Sequence, residues 1–244
     1  VNLRKPGRRR GCLVSILASL LVTAAASRAG AAGPFAAWNR DLQKAIHDLE
    51  TGDSKKASKL LDRLFDVYLQ EAGPTEANER NLGTLLLYRA IAEQGLGQVD
   101  DARWDLDLAS NFLPGVADFD LSRFGPAGNA LHAYAQIAPD FPQIESDPAL
   151  ADHEVEPPRV TKRVRPKYTF GGKVFETEGE LQVDVVIDKQ GRASHPRVIR
   201  KLENPALSYA ALEALRQWEF EPATLDGHPV EVFYNLTVNY QLRR

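Results

Sequence analysis

Cysteine is almost absent from this chain: Cys12 is the only one. No cysteine follows residue 32, which excludes disulfides, thiol catalysis and cysteine-ligated metal from the remainder. That remainder, about 210 residues, is held by core packing alone and divides most naturally into two domains. Catalytic signatures are lacking too. His47, His132, His153, His195 and His228 stand apart, with no pair at i, i+4 and no H-E-x-x-H. There is no G-x-S-x-G, no phosphate-binding glycine loop and no C-x-x-C. The expectation is a protein that is not an enzyme, with no catalytic residues, no metal site and no cofactor. An excess of basic charge is also missing: 30 Lys and Arg stand against 33 Asp and Glu. Nucleic acid, whose phosphates require a basic face, is therefore not an expected partner.

A long apolar run is missing as well. The longest stretch, Cys12 to Ala26, is about fifteen residues, short of the roughly 20 that a spanning helix needs. It follows a basic head of Arg4, Lys5, Arg8, Arg9 and Arg10 and precedes the small-residue patterns Ala24-x-Ala26 and Ala29-x-Ala31. Residues 1–32 thus read as an export signal, and the mature chain is expected in the periplasm, soluble after cleavage. The rival reading is an uncleaved inner-membrane anchor.

Charge separates the rest of the chain into two parts. Residues 33–150 carry 10 basic and 19 acidic residues, and residues 151–244 carry 14 of each. The acidic part reads as helices over about 35–49, 54–71, 76–94, 99–112 and 126–138, broken at Thr51-Gly52-Asp53, Gly73-Pro74-Thr75 and Gly95-Leu96-Gly97. Ala90, Gly97-x-x-Asp100-x-Ala102, Ala109 and Pro114 resemble the second part of a tetratricopeptide repeat, in which small residues let two helices approach closely. The rival reading is an unspecific helical bundle. Pro139, Pro142, Pro148, Pro157 and Pro158 punctuate residues 139–158, which read as a linker between separately folding halves.

From residue 159 the pattern turns to strands. Residues 180–188 alternate, Asp188-Lys189-Gln190-Gly191 turns the chain, and residues 192–201 return. A helix comes next, N-capped by Asn204 with Pro205 in its first position, and carries Leu207, Ala211, Ala214, Leu215 and Trp218 as one apolar stripe. Asp226-Gly227 is a turn, and residues 230–242 alternate over thirteen positions. The order strand, strand, helix, strand predicts an antiparallel sheet with a helix on one side.

The motifs of this second part are Pro166-x-Tyr168, Glu178-Gly179, Asp188-x-x-Gly191, Ala210-Ala211-Leu212, Trp218-x-Phe220-x-Pro222-Ala223 and Gly227-x-Pro229-Val230. In this order and spacing they resemble the C-terminal domain of the TonB family of periplasmic energy transducers. The whole reading is α+β in two domains: signal 1–32, tetratricopeptide-like helical domain 33–138, Pro-rich linker 139–158 and TonB C-terminal-like domain 159–244.

The resemblance implies a partner, an outer-membrane receptor or other envelope protein, and a mode of binding in which a peptide of that partner is added as a strand beside the last strand. The implied site is Asn235, Leu236, Thr237, Val238, Asn239 and Tyr240, with Arg165, Pro166, Lys167 and Tyr168 alongside. A thirteen-residue strand is expected to outrun its neighbour and expose backbone groups. Self-association through that strand is the alternative occupant. Three departures from the family stand out. The linker is short, reaching about 60 Å at ~3.1 Å per residue; the apolar segment has Ser15 and Ser19 but no histidine; and Thr169 stands where the family has proline. An envelope-assembly scaffold, in which the helical repeats bind the partner and no energy is transduced, is the alternative function.

Overall fold

A computed structural model describes residues 38–137, 154–169 and 178–240. The expected signal and most of the expected linker lie outside these residues. No helix among the described residues is long and apolar enough to cross a membrane.

The first part is helical: α1 (Trp38–Glu50), α2 (Ser54–Glu71), α3 (Glu76–Gly95), α4 (Val99–Phe112) and α5 (Gly125–Ala135). The caps follow from local chemistry. Asp53 accepts from the Lys56 N–H to start α2, and Thr75 accepts from Asn78 N–H to start α3. Helix α3 is the central one, apolar and buried nearly all round from Asn81 to Ala92. It packs along α4 where Ala90, Ala102 and Ala109 are fully buried. A Cβ on Gly83 would lie 2.6 Å from the Cβ of Leu113, so that contact tolerates only glycine.

The second part is β1 (Val155–Glu156), β2 (Arg159–Lys162), β3 (Gly179–Ile187), β4 (Ala193–Arg200), α6 (Pro205–Leu215), β5 (Glu219–Glu221), β6 (Ala223–Leu225), β7 (His228–Val230) and β8 (Val232–Tyr240). The main sheet has the antiparallel order β4-β3-β8. Leu181, Val183, Val185 and Ile187 of β3 and Leu236, Val238 and Tyr240 of β8 are buried on one side, with α6 in the same core. Two small ribbons, β1-β6-β7 and β2-β5, complete the domain.

The glycine and tryptophan motifs are parts of one joint. Asp188 accepts from the backbone N–H of Gln190 and Arg192, which closes the β3–β4 turn. Gly191, at φ 76°, offers its carbonyl to the Phe220 N–H at 2.9 Å. A Cβ on Gly191 would fall 1.8 Å from the Phe220 carbonyl oxygen. Trp218 and Phe220 are buried beneath the sheet, and Trp218 Nε1 donates to the Val164 carbonyl at 2.8 Å.

Three expectations change. Residues 230–242 are not one strand: Asp226 (φ 50°) and Gly227 (φ 77°) close a tight hairpin in which His228–Val230 pairs with β6. The chain breaks at Glu231, and only Val232–Tyr240 joins the main sheet; residues 241 and 242 lie outside the described region. Among the described residues β8 does not outrun its neighbour, since all nine of its residues are in register with β3. Val155–Glu156, expected in the linker, pairs with Thr224 and Leu225, because a strand edge there accepts it. The two halves are also in contact. Their buried residues form one continuous cluster, and Asn204, the cap of α6, donates to the Ala72 carbonyl at 3.3 Å.

Candidate functional site

The main sheet has two outer edges, β4 and β8, and they differ. The β4 edge is occupied by the helical half. Asn111 of α4 donates from Nδ2 to the Pro196 carbonyl (2.8 Å) and accepts at Oδ1 from the Val198 N–H (2.7 Å). Its amide thus does for β4 what a neighbouring strand would do. Pro196 has no N–H to offer, and His195, at φ 49°, bulges the strand. Each of these devices protects an edge from another chain.

Strand β8 is open by comparison. One side pairs with β3 along its whole length, and the other has no strand neighbour among the described residues. Antiparallel pairing sends alternate N–H and C=O groups to alternate sides, so half of the β8 backbone groups point away from β3. Strand addition uses those groups.

The predicted site residues sort by face. Asn235, Thr237 and Asn239 are exposed, as alternation required. Asn235 is engaged: its Nδ2 donates to Asp184 Oδ1 at 2.8 Å, and Asp184 also accepts from Arg197 Nη2 at 2.6 Å. One polar row therefore crosses all three strands. Leu236, Val238 and Tyr240 are buried towards the core, so only their backbone can serve an added strand. The Tyr240 hydroxyl donates to the Leu207 carbonyl at 3.2 Å.

The structure brings the second predicted segment alongside. Phe220 is the register partner of Val160 and packs edge-on against Tyr234 at 6.5 Å, while Tyr168 stands edge-on to Tyr240 at 5.0 Å. Tyr168 thus stands at the Tyr240 end of β8, whereas Val160 is linked to Tyr234 only through Phe220. Arg165 and Lys167 are exposed, and Pro166 and Tyr168 are half-buried. Burial, with Glu178 nearby, raises the Tyr168 pKa, so the phenol stays neutral.

A buried charge cluster between the halves was not foreseen. Arg89 of α3 forms a forked pair with Asp105 of α4, which is fully buried, and donates to the Tyr209 hydroxyl of α6 at 2.9 Å. The guanidinium lies 4.2 Å from the Phe65 ring centre. Glu213 of α6 accepts from Trp104 Nε1 at 3.2 Å, and Arg216 pairs with Asp101. Burial raises Glu93 to about 8, with the Asp105 charge adding to it and Arg89 opposing. No periodicity announces such a cluster. The β4 edge did have a sequence signal, because Pro196 inside a predicted strand marks an edge.

The comparisons with known proteins bear on the second half of the chain. Residues 175–242 match the family model for the Gram-negative bacterial TonB protein C-terminal. A curated relative, Protein TonB of Vibrio cholerae serotype O1, is 31% identical over 99 residues. That match covers 41% of this chain and 39% of the relative, so the chain spans about two-fifths of the length of the curated relative it matches. No solved structure matches the chain. By motif and by this match, residues 175–242 are similar to the C-terminal domain of the TonB family.

Proposed function

We propose that this protein binds an extended segment of an envelope partner, an outer-membrane receptor in the first instance, by adding it as a strand to β8. The observation that carries the reading is the asymmetry of the sheet: Asn111, Pro196 and the bulge at His195 guard β4, while β8 is paired on one side only among the described residues. Thr237 and Asn239 face outwards beside the edge to meet alternate side chains of the added strand, and Arg165, Pro166, Lys167 and Tyr168 flank it. The family match supports an envelope partner, and the protein is proposed to act in the periplasm.

The test is a pair of proline substitutions, Thr237→Pro and Val238→Pro. Neighbouring residues send their N–H groups to opposite sides of the strand, so one of the two removes an outward donor and leaves the β3 ladder intact. That variant should melt like the parent protein and lose its partner in pulldowns from envelope extract. Retained capture by both variants, with the fold preserved, would refute strand addition. Loss of a dimer in sedimentation, with no change in capture, would assign β8 to a second copy of the chain.

A further inference from the structure

A second surface lies near the β8 edge, and both halves build it. A groove of about 440 Å³ runs between α2, α6 and residues 164–169. Ala210 and Ala214 of α6 make a floor of small residues, with Leu69 of α2 on one side and Tyr168 on the other. One wall thus belongs to the helical half, so a TonB C-terminal-type domain standing alone has no such groove.

The rim on the Tyr168 side is cationic. Residues 159–167 hold five basic residues and no acid. Arg159 faces Glu221 across the β2–β5 pair, Lys162 binds Glu219, and the Arg163 guanidinium lies 5.2 Å from the Trp218 ring centre. Arg165 and Lys167 are exposed, and neither pairs with a carboxylate among the described residues. Exposure alternates from Arg163 to Tyr168, so these two side chains project to the same side at the period of an extended chain. Two acids also line the groove. Asp66 is exposed on α2, and Glu213 is engaged by Trp104.

We propose that this groove docks an extended peptide in which carboxylates alternate with apolar side chains. The apolar residues enter between Leu69, Tyr168 and the two alanines, and the carboxylates meet Arg165 and Lys167. An anionic lipid surface fits less well. The unspent rim is two residues wide, Glu219 and Glu221 stand beside it, and residues 33–150 carry 10 basic against 19 acidic residues. Arg165, Lys167 and Tyr168 also flank the proposed β8 site, and Leu69, Ala210 and Ala214 on the helices separate the groove from it.

The test presents the full chain with two pools of short peptides, one alternating Glu with Leu, Val or Phe and one alternating Lys with the same residues. The chain should retain the acidic pool and not the basic one. Joint Arg165→Glu and Lys167→Glu substitution should weaken retained peptides by about tenfold or more, because each reversal removes an attraction and adds a repulsion. Ala210→Trp, or Leu69→Glu if that variant fails to fold, should give the same loss with the rim intact. Thr237→Pro should leave retention unchanged. Equal retention of both pools, or retention indifferent to the groove variants, would overturn the proposal. So would a loss on Thr237→Pro, which would move the peptide to β8. Displacement of the peptides by phosphatidylglycerol vesicles would assign the rim to lipid and overturn it as well.

Discussion

Trp218 ties three parts of the second half together. Its ring is buried beside Phe220, its Nε1 holds the Val164 carbonyl, and Arg163 lies over its face. Trp218→Ala removes all of this and should cost about 3–5 kcal/mol, enough to unfold the domain rather than only weaken binding. Trp218→Phe keeps most of the packing and loses the hydrogen bond, worth about 0.5–1.5 kcal/mol; it should melt a few degrees lower and loosen the segment carrying Arg165 and Lys167. Normal melting with lost binding in the alanine variant would reassign Trp218 to the partner surface. Buried acids set the response to pH. Burial raises Glu93 from 4.5 to about 8 and Asp107 from 3.8 to about 7, the latter against the opposing Tyr134 hydrogen bond and Arg103 charge. Glu93 Oε2 has no hydrogen-bond partner among the described residues, while Arg89 Nε stands 3.7 Å from Oε1. Each group binds its proton more tightly in the folded state. Its favourable contribution is therefore complete below the unfolded value and declines as pH rises, from 4.5 to about 8 for Glu93 and from 3.8 to about 7 for Asp107. The melting temperature should fall over that window, and Glu93→Gln should flatten the upper part of the fall. A slope that Glu93→Gln leaves unchanged would contradict this.

Among the elements, β4 is covered by Asn111 while β8 is paired on one side only among the described residues, and the proposed strand addition rests on that difference. Asn111→Ala leaves the Val198 N–H and the Pro196 carbonyl without their partner. It should cost about 1–3 kcal/mol and open β4 to self-association, visible as larger species in sedimentation velocity. A variant that stays monomeric and equally stable would show that Asn111 is no guard. Much of this was legible in the sequence. The α2 and α4 boundaries follow from Asp53 and from the glycine break before Val99, and α6 from Asn204-Pro205, because caps and proline act locally. Alternation gave the faces of β8, since period two is a property of the single strand. It did not give the break at Glu231, because the local hairpin takes His228–Val230 onto β6 while the rest pairs with β3, a partner distant in sequence that alternation does not reveal. It also did not give Asn111, a polar residue at the end of an amphipathic helix whose role depends on a strand 85 residues further on.

At the scale of the whole molecule, the two halves share a core and a set of polar contacts, of which only the Arg89 cluster is buried. Lys201 pairs with Glu79, Arg216 with Asp101, and Arg89 with both Asp105 and Tyr209. Arg89→Met would leave the fully buried Asp105 without its partner, and breaking a buried pair on one side costs about 3–5 kcal/mol. Because Arg89 also holds α6, that loss should lower the melting of both halves in one calorimetric transition. Two transitions, with only the first moved, would restore the picture of independent halves. The shared core also gives the helical half a task near the proposed binding edge: it covers β4 and leaves β8 without a strand neighbour among the described residues. The central claim is that β8 is the edge to which a partner strand is added, and photo-crosslinking in cells tests it most directly. A photoreactive side chain placed at Thr237 or Asn239 should give adducts with an outer-membrane protein, mapped to one extended segment. The same group at Ile199 of β4, itself 53% exposed, should give none. Equal adducts from Ile199, or no heterologous adduct from either β8 position in a folded protein, would contradict the account.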